Sequence, residues 1–227
     1  MSILLALLLA ITLCASAASA QEKQIRSPVF KIETNDKVVA LTFDDGPDPT
    51  FTPVLLELLH REGVVVTFFV MGKQVEKYPK IIEWMYKAGH EVANHGYSHT
   101  DPKKLTKEEL IAEIRKTEKA VLKASGAKTR FYRPMGGAVT SSVLRACNET
   151  GYELIHWSVD PKDWKRDRTS EVISNALKDR VDAGDIVLFH DGGLNQEESM
   201  KALSVLINDL KKRGYHFVTI SQLLGME

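Results

Sequence analysis

The stretch Lys37-Val38-Val39-Ala40-Leu41-Thr42-Phe43-Asp44-Asp45-Gly46-Pro47 decides how the rest of this chain is read. Lys37–Phe43 is rich in apolar and β-favouring residues and reads as a strand. Two carboxylates follow at once, Asp44 and Asp45, and then the Gly46-Pro47 turn. Adjacent carboxylates repel, so both stay ionised only beside a cation or an arginine. In a continuing strand their side chains would point to opposite faces. A turn directly after them lets the chain bend and brings both within reach of one site. The same four residues also make good solvated turn chemistry, so the motif takes its meaning from what surrounds it.

Working outward, six further β-rich runs follow: Val64–Val70, Glu91–Ala93, Arg130–Arg133, Glu153–Val159, Asp185–Phe189 and His216–Thr219. Amphipathic stretches separate them. Thr106-x-x-Glu109 is a capping box, with Leu105 and Leu110 placed as a hydrophobic staple. Leu110, Ile111, Ile114, Val121 and Leu122 then repeat at helical spacing, and Gly126 supplies the stop. Ile81, Ile82, Met85 and Tyr86 stripe the helix before Gly89; Ser141 to Thr150 forms another, and the last long helix ends at Gly214. These stripes are core faces. Strands alternating with helices predict an α/β fold, a parallel sheet with crossover helices in a single domain. A barrel and an open doubly wound sheet both fit. The favoured reading is a distorted (β/α) barrel of about seven parallel strands, irregular because seven is one short of the usual eight.

The out-of-place polar residues fall at the ends of these strands: Asp44 and Asp45 after the first, His95 and His99 after the third, Arg133 at the fourth. Asp160 and Asp163 follow the fifth, and His190 the sixth. Barrel enzymes build their sites at this C-terminal face, and five loops delivering ionisable residues to one face point to catalysis. His95-Gly96-Tyr97-Ser98-His99 sets two imidazoles four residues apart, one helical turn. Two imidazoles and a carboxylate suit a divalent metal and leave positions open for water and substrate.

With these residues in place the chain resembles the NodB-type polysaccharide deacetylases, carbohydrate esterase family 4. Thr42-Phe43-Asp44-Asp45-Gly46-Pro47 looks like their first motif and His95…His99 like their second. Arg133-Pro134-Met135-Gly136-Gly137 is similar to the third, Asp160-Pro161-Lys162-Asp163-Trp164 to the fourth, and Leu188-Phe189-His190 to the fifth. The resemblance implies the distorted barrel and a metal-dependent hydrolase that removes N-acetyl groups from an N-acetylglucosamine-containing glycan, peptidoglycan or chitin-like. It implies that Asp45, His95 and His99 bind one divalent ion, often zinc in this family, with cobalt or another ion as substitute. Asp44 would be the general base on the attacking water, oriented by Arg133, with the Gly136 N–H on the oxyanion. His190, paired with Asp163, would protonate the departing amine, and Trp164 and Leu188 would wall the slot for the acetyl methyl. The chain departs from the pattern at Gly96, where a hydroxyl is usual, and at Met135 and Gly136; the first loosens the metal loop and the others alter the groove. The competing reading is a catalytically silent glycan-binding protein of the same fold, disfavoured because a mere binder needs neither Asp44 nor His190. A phosphohydrolase using Asp44 as nucleophile would want more carboxylates.

The 227 residues carry 30 basic and 30 acidic side chains, and this balance argues against a nucleic-acid partner. Residues 1–20 contain no charged side chain and end Ala18-Ser19-Ala20, which reads as a secretory signal peptide. Without Lys or Arg at its start, an uncleaved anchor stays open. Residues 21–36 read as a polar lead-in and 37–227 as the deacetylase domain, a monomer working in the cell envelope or outside the cell. Of the 2 cysteines, Cys147 alone would survive cleavage, as a buried apolar residue in a helix. His60 reads as surface, His90 and His216 as structural, and His156 as a hydrogen-bonded core residue.

Overall fold

A computed structural model describes residues 26–193 and 195–226. The expected signal, residues 1–20, lies outside the described residues. Among those described, no helix is long and apolar enough to cross a membrane.

The chain runs β1 (Val38–Asp44), α1 (Phe51–Glu62), β2 (Thr67–Val70), α2 (Gly72–Lys77), α3 (Pro79–Lys87), β3 (Glu91–Asn94), α4 (Lys107–Ser125) and β4 (Phe131–Tyr132). It continues with α5 (Ser141–Thr150), β5 (Glu153–Leu154), α6 (Ser170–Leu177), β6 (Ile186–His190), α7 (Gln196–Lys212), β7 (His216–Phe217) and α8 (Ile220–Leu223). All pairings between these strands are parallel, in the order β5-β4-β3-β2-β1-β6, and β7 pairs with the start of β1. β1 is buried from Val39 to Asp44, with Val39, Leu41 and Phe43 packed towards the helices and Ala40 towards the inside of the curled sheet. The expected capping box forms at α4, with Gly126 left-handed at its end, and Leu105 packs on the cluster that holds Leu110.

The run expected as one strand over Glu153–Val159 is broken. Glu153 and Leu154 pair with β4, Ile155 bridges Val29, and Val159 bridges Val187 on β6. The sheet must curl from β5 back towards β6, and a single straight strand cannot face both, so the chain swings across and draws the barrel towards closure. Part of the lead-in joins this seam: Lys31 bridges Asp185, and Ile32 packs its carbonyl against Gly184 where any Cβ would collide. Phe43, Phe68 and Phe189 stack within the main core between the sheet and α1, α3 and α7.

Cys147 is buried, and burial pushes its thiol up to about 12, which suits a packing role. His60 and His216 are exposed. His90 accepts from the Val66 N–H at 3.3 Å, and burial takes its pKa down to about 4. His156 departs from expectation: it is buried between Phe30 and Trp157, but its Nε2 has no hydrogen-bond partner. Burial and the nearby Arg133 charge hold its pKa down at about 4, so it sits there as a neutral ring.

Candidate metal centre and active site

Register brings the strand ends together. Asp44 is level with His190 on β6 and with Phe69 on β2. Asn94 is level with Val70 and with Tyr132, so His95 and Arg133 leave adjacent strands side by side.

Asp45 has φ 77 and His99 φ 61, left-handed conformations that cost a non-glycine residue of order 1–3 kcal/mol and concentrate at functional sites. At Asp45 this breaks the strand alternation one residue before the Gly46-Pro47 turn. Asp44 and Asp45 therefore approach opposite ends of the same ring: Asp44 Oδ2 lies 3.9 Å from His95 Nδ1, and Asp45 Oδ1 lies 3.2 Å from His95 Nε2. Asp45 Oδ1 is also 2.9 Å from His99 Nε2, and the three residues bring one ligating atom each within 4.8 Å of one another.

The hydrogen-bond pattern tests whether a cation belongs here. His95 Nδ1 lies 2.7 Å from the Arg133 carbonyl, which can only accept, so Nδ1 carries the proton. In a neutral ring Nε2 then offers a lone pair to Asp45 Oδ1, another acceptor, and that oxygen is buried without a hydrogen-bond donor. Acceptors facing one another at 3 Å need a proton or a metal ion between them. Burial pushes Asp45 up, but His95 and His99 outweigh it and hold the carboxyl well below its usual range. Burial likewise disfavours a charged His95, and Asp44 and Asp45 overcome this to raise its pKa. A carboxylate and two imidazoles make a donor set that a zinc-like divalent ion fits, with positions left open.

Behind this trio Arg133 is fully buried, and each of its three nitrogens donates. It donates from Nη1 to Asp44 Oδ1 at 2.7 Å and to Thr42 Oγ1 at 2.8 Å, from Nη2 to the His156 carbonyl, and from Nε to the Ile155 carbonyl. Its guanidinium lies 3.9 Å from the centre of the Phe69 ring. Asp44, 3% exposed, is thus paired with a cation that cannot turn away.

At the end of β6, next to β1, Asp163 is fully buried and accepts from both the backbone N–H and the ring of His190. Burial alone would lower the His190 pKa; the Asp163 hydrogen bond and charge, reinforced by Asp44 and Asp45, raise it to about 9. Asp45, Asp163, Trp164 and His190 border one cavity of about 170 Å³. Trp164 stands half exposed at its edge, and Leu188 is buried two residues before His190 on the same face of β6. Gly136 has φ 60 in an exposed turn with open space where a Cβ would lie. Asp160 is used locally, accepting from the Lys162 N–H at 2.7 Å. A larger groove of about 730 Å³ beside α3 and α4 contains none of these residues.

Two residues that sequence reasoning passed over complete the arrangement. Asp191 is fully buried, accepts from Thr52 Oγ1 at 2.6 Å, and lies so close to Gly46 that a Cβ there would sit 2.2 Å from its carboxylate. Burial, with the charges of Asp45 and Asp44 adding to it, lifts its pKa to about 7. Asn195 binds the loop carrying Asp163, donating to the carbonyls of Asp163, Lys165 and Arg168. For Asp191 the available signal was the Asp-Gly after a strand, repeated from Asp45-Gly46.

The model of the family described as Polysaccharide deacetylase matches residues 31–155. A peptidoglycan-N-acetylglucosamine deacetylase of Bacillus cereus is 36% identical over 197 residues, covering 86% of this chain and 92% of its own. A chitooligosaccharide deacetylase of a Bradyrhizobium species is 35% identical over 214 residues, covering 86% and 97%. Among solved structures, one of a peptidoglycan N-acetylglucosamine deacetylase superposes with a TM-score of 0.83 at 34% identity, covering 87% of this chain and 92% of that one.

Proposed function

The chain belongs to the polysaccharide deacetylase family, and on that premise we propose that it hydrolyses N-acetyl groups from an N-acetylglucosamine-containing glycan with the aid of one divalent ion, zinc in the first instance. The observation that carries the reading is Asp45 Oδ1, buried without a donor and met by the Nε2 atoms of His95 and His99. An ion held by these three residues supplies Lewis acidity, polarising a carbonyl and acidifying water.

The remaining chemistry belongs to the chain. Asp44, oriented by Arg133, takes a proton from the attacking water. The exposed Gly136 N–H donates to the oxygen that gains charge as the acetyl carbon becomes tetrahedral. His190, kept charged by Asp163, delivers a proton to the glucosamine nitrogen as the C–N bond breaks, leaving acetate and a free amine. Trp164 and Leu188 wall the space for the acetyl methyl.

Residues 1–20 act as the export signal, 21–36 as the lead-in and 37–227 as the catalytic domain, which works as a monomer outside the cytoplasm. The alternative, a silent glycan binder, has no use for an Arg133-oriented base and an Asp163-charged acid on adjacent strand ends. Acetate release from peptidoglycan and chitin oligomers separates the two readings and identifies the substrate at the same time; a protein that binds these oligomers and releases none is the binder.

A further inference from the structure

The backbone between the two imidazoles turns sharply, with Gly96 at φ 83 and His99 at φ 61. Gly96 has no side chain to hold that turn. The fastening comes from outside the loop: a single oxygen of Glu113 on α4, Oε2, accepts from the Tyr97 N–H at 2.9 Å, the Ser98 N–H at 2.7 Å and the Ser98 hydroxyl at 2.9 Å. Successive N–H groups converging on one anion form a concave nest. Asn94 pins the same junction, accepting from Gly96 N–H and donating to the Ile114 carbonyl next to Glu113. Among the described residues Glu113 has no ion-pair partner, and its side-chain hydrogen bonds all go to this loop.

His99 depends on this. Its side chain is 37% exposed, and Asp45 is its only polar partner among the described residues, so its place is set by its backbone. His95, in contrast, is anchored through Nδ1 to Arg133.

We propose that Glu113 is a positioning residue for the metal centre, holding the Tyr97–Ser98 backbone so that His99 reaches Asp45. The proposal rests on the metal reading of Asp45, His95 and His99. Its consequence is an affinity effect: without Glu113 the loop must be ordered by the ion itself, and the cost appears in binding.

The test is zinc affinity, measured by competition with a chromogenic chelator, on the full chain and four variants. Glu113→Ala weakens zinc binding by ~10-fold or more, the scale on which supporting groups of metal ligands act, while kcat at saturating zinc returns to near the wild-type value. Glu113→Gln, which keeps an acceptor but not the charge, weakens binding by less, and decides the matter if the alanine variant does not fold. Thr106→Ala removes the capping box of α4 about two turns away; it lowers Tm and leaves zinc affinity unchanged. Wild-type affinity in the Glu113 variants, or an equal loss in Thr106→Ala, overturns the role of Glu113. Loss of zinc from His95→Ala/His99→Ala in the same assay shows that the centre stands independently; zinc retained there overturns the centre and not merely its support.

Discussion

Asp163 holds His190 by two bonds at once: its Oδ2 accepts the His190 backbone N–H at 3.0 Å, and its Oδ1 lies 2.8 Å from Nδ1. A fully buried carboxylate in that position fixes the ring and leaves Nε2 free for the cavity. It also makes the charged ring the favoured state, with a pKa of about 9 against an ordinary value of 6.5. For a raised histidine the stabilisation is complete below the ordinary value and is lost as pH climbs through the folded one. The charged ring therefore persists to about pH 9, and if His190 is the acid as proposed, the alkaline limb of kcat/KM falls there. Asp163→Asn removes the charge, so this limb moves to lower pH and the bell narrows. A limb that stays in place in active Asp163→Asn enzyme breaks the pairing.

In the proposed reading Asp44 is the base and not a metal ligand. Asp44→Asn keeps the shape and an acceptor for Arg133, so turnover falls by ~10²-fold or more while bound zinc stays at the wild-type level. Parallel metal analysis and rate measurement check this; zinc lost along with activity means that Asp44 and Asp45 have been assigned the wrong way round.

Arg133 is the structural risk in the design. Arg133→Met leaves Asp44, 3% exposed, without its cation. Removing one partner of a buried pair costs ~3–5 kcal/mol, which urea denaturation reads as a lower midpoint at unchanged slope. A midpoint equal to wild type would mean that Asp44 is solvated and not held.

Much of this is legible in the sequence alone. Buried parallel strands read as continuous apolar runs, which marks β1, β2 and β6 most clearly, and the α4 capping box and its glycine stop are equally plain. The ionisable residues at the strand ends were visible for the same reason, as polar side chains interrupting apolar runs. What stayed hidden depends on three-dimensional closeness. The break after Leu154 follows from curling the sheet towards closure, which no local pattern encodes. The left-handed turn at Asp45 packs against the Asp191–Gly192 segment, where a Cβ on Gly192 would come within 2.6 Å of the Asp45 carbonyl. Asp191 left only the Asp-Gly after β6 as a signal, and Glu113 acts on a loop some fifteen residues away with nothing near it to mark its role.

The contact between Asp191 and Gly46 gives a prediction of its own. Gly46→Ala places a methyl against a buried carboxylate that Thr52 holds still, and overpacking of this kind costs ~1–3 kcal/mol. The loop carrying Asp45 takes up the strain, so Tm and zinc affinity fall together. A variant with wild-type Tm and zinc content would show that the two loops move apart freely.

The most direct measurement is acetate release from N-acetylglucosamine oligomers by protein stripped of metal and then reloaded with zinc, alongside His95→Ala/His99→Ala carried through the same steps. The account predicts acetate only from the reloaded wild-type protein, with one zinc per chain, and neither acetate nor stoichiometric zinc from the double variant. Equal acetate release by the stripped protein or the double variant, or none from the zinc-loaded protein on any oligomer, would contradict it.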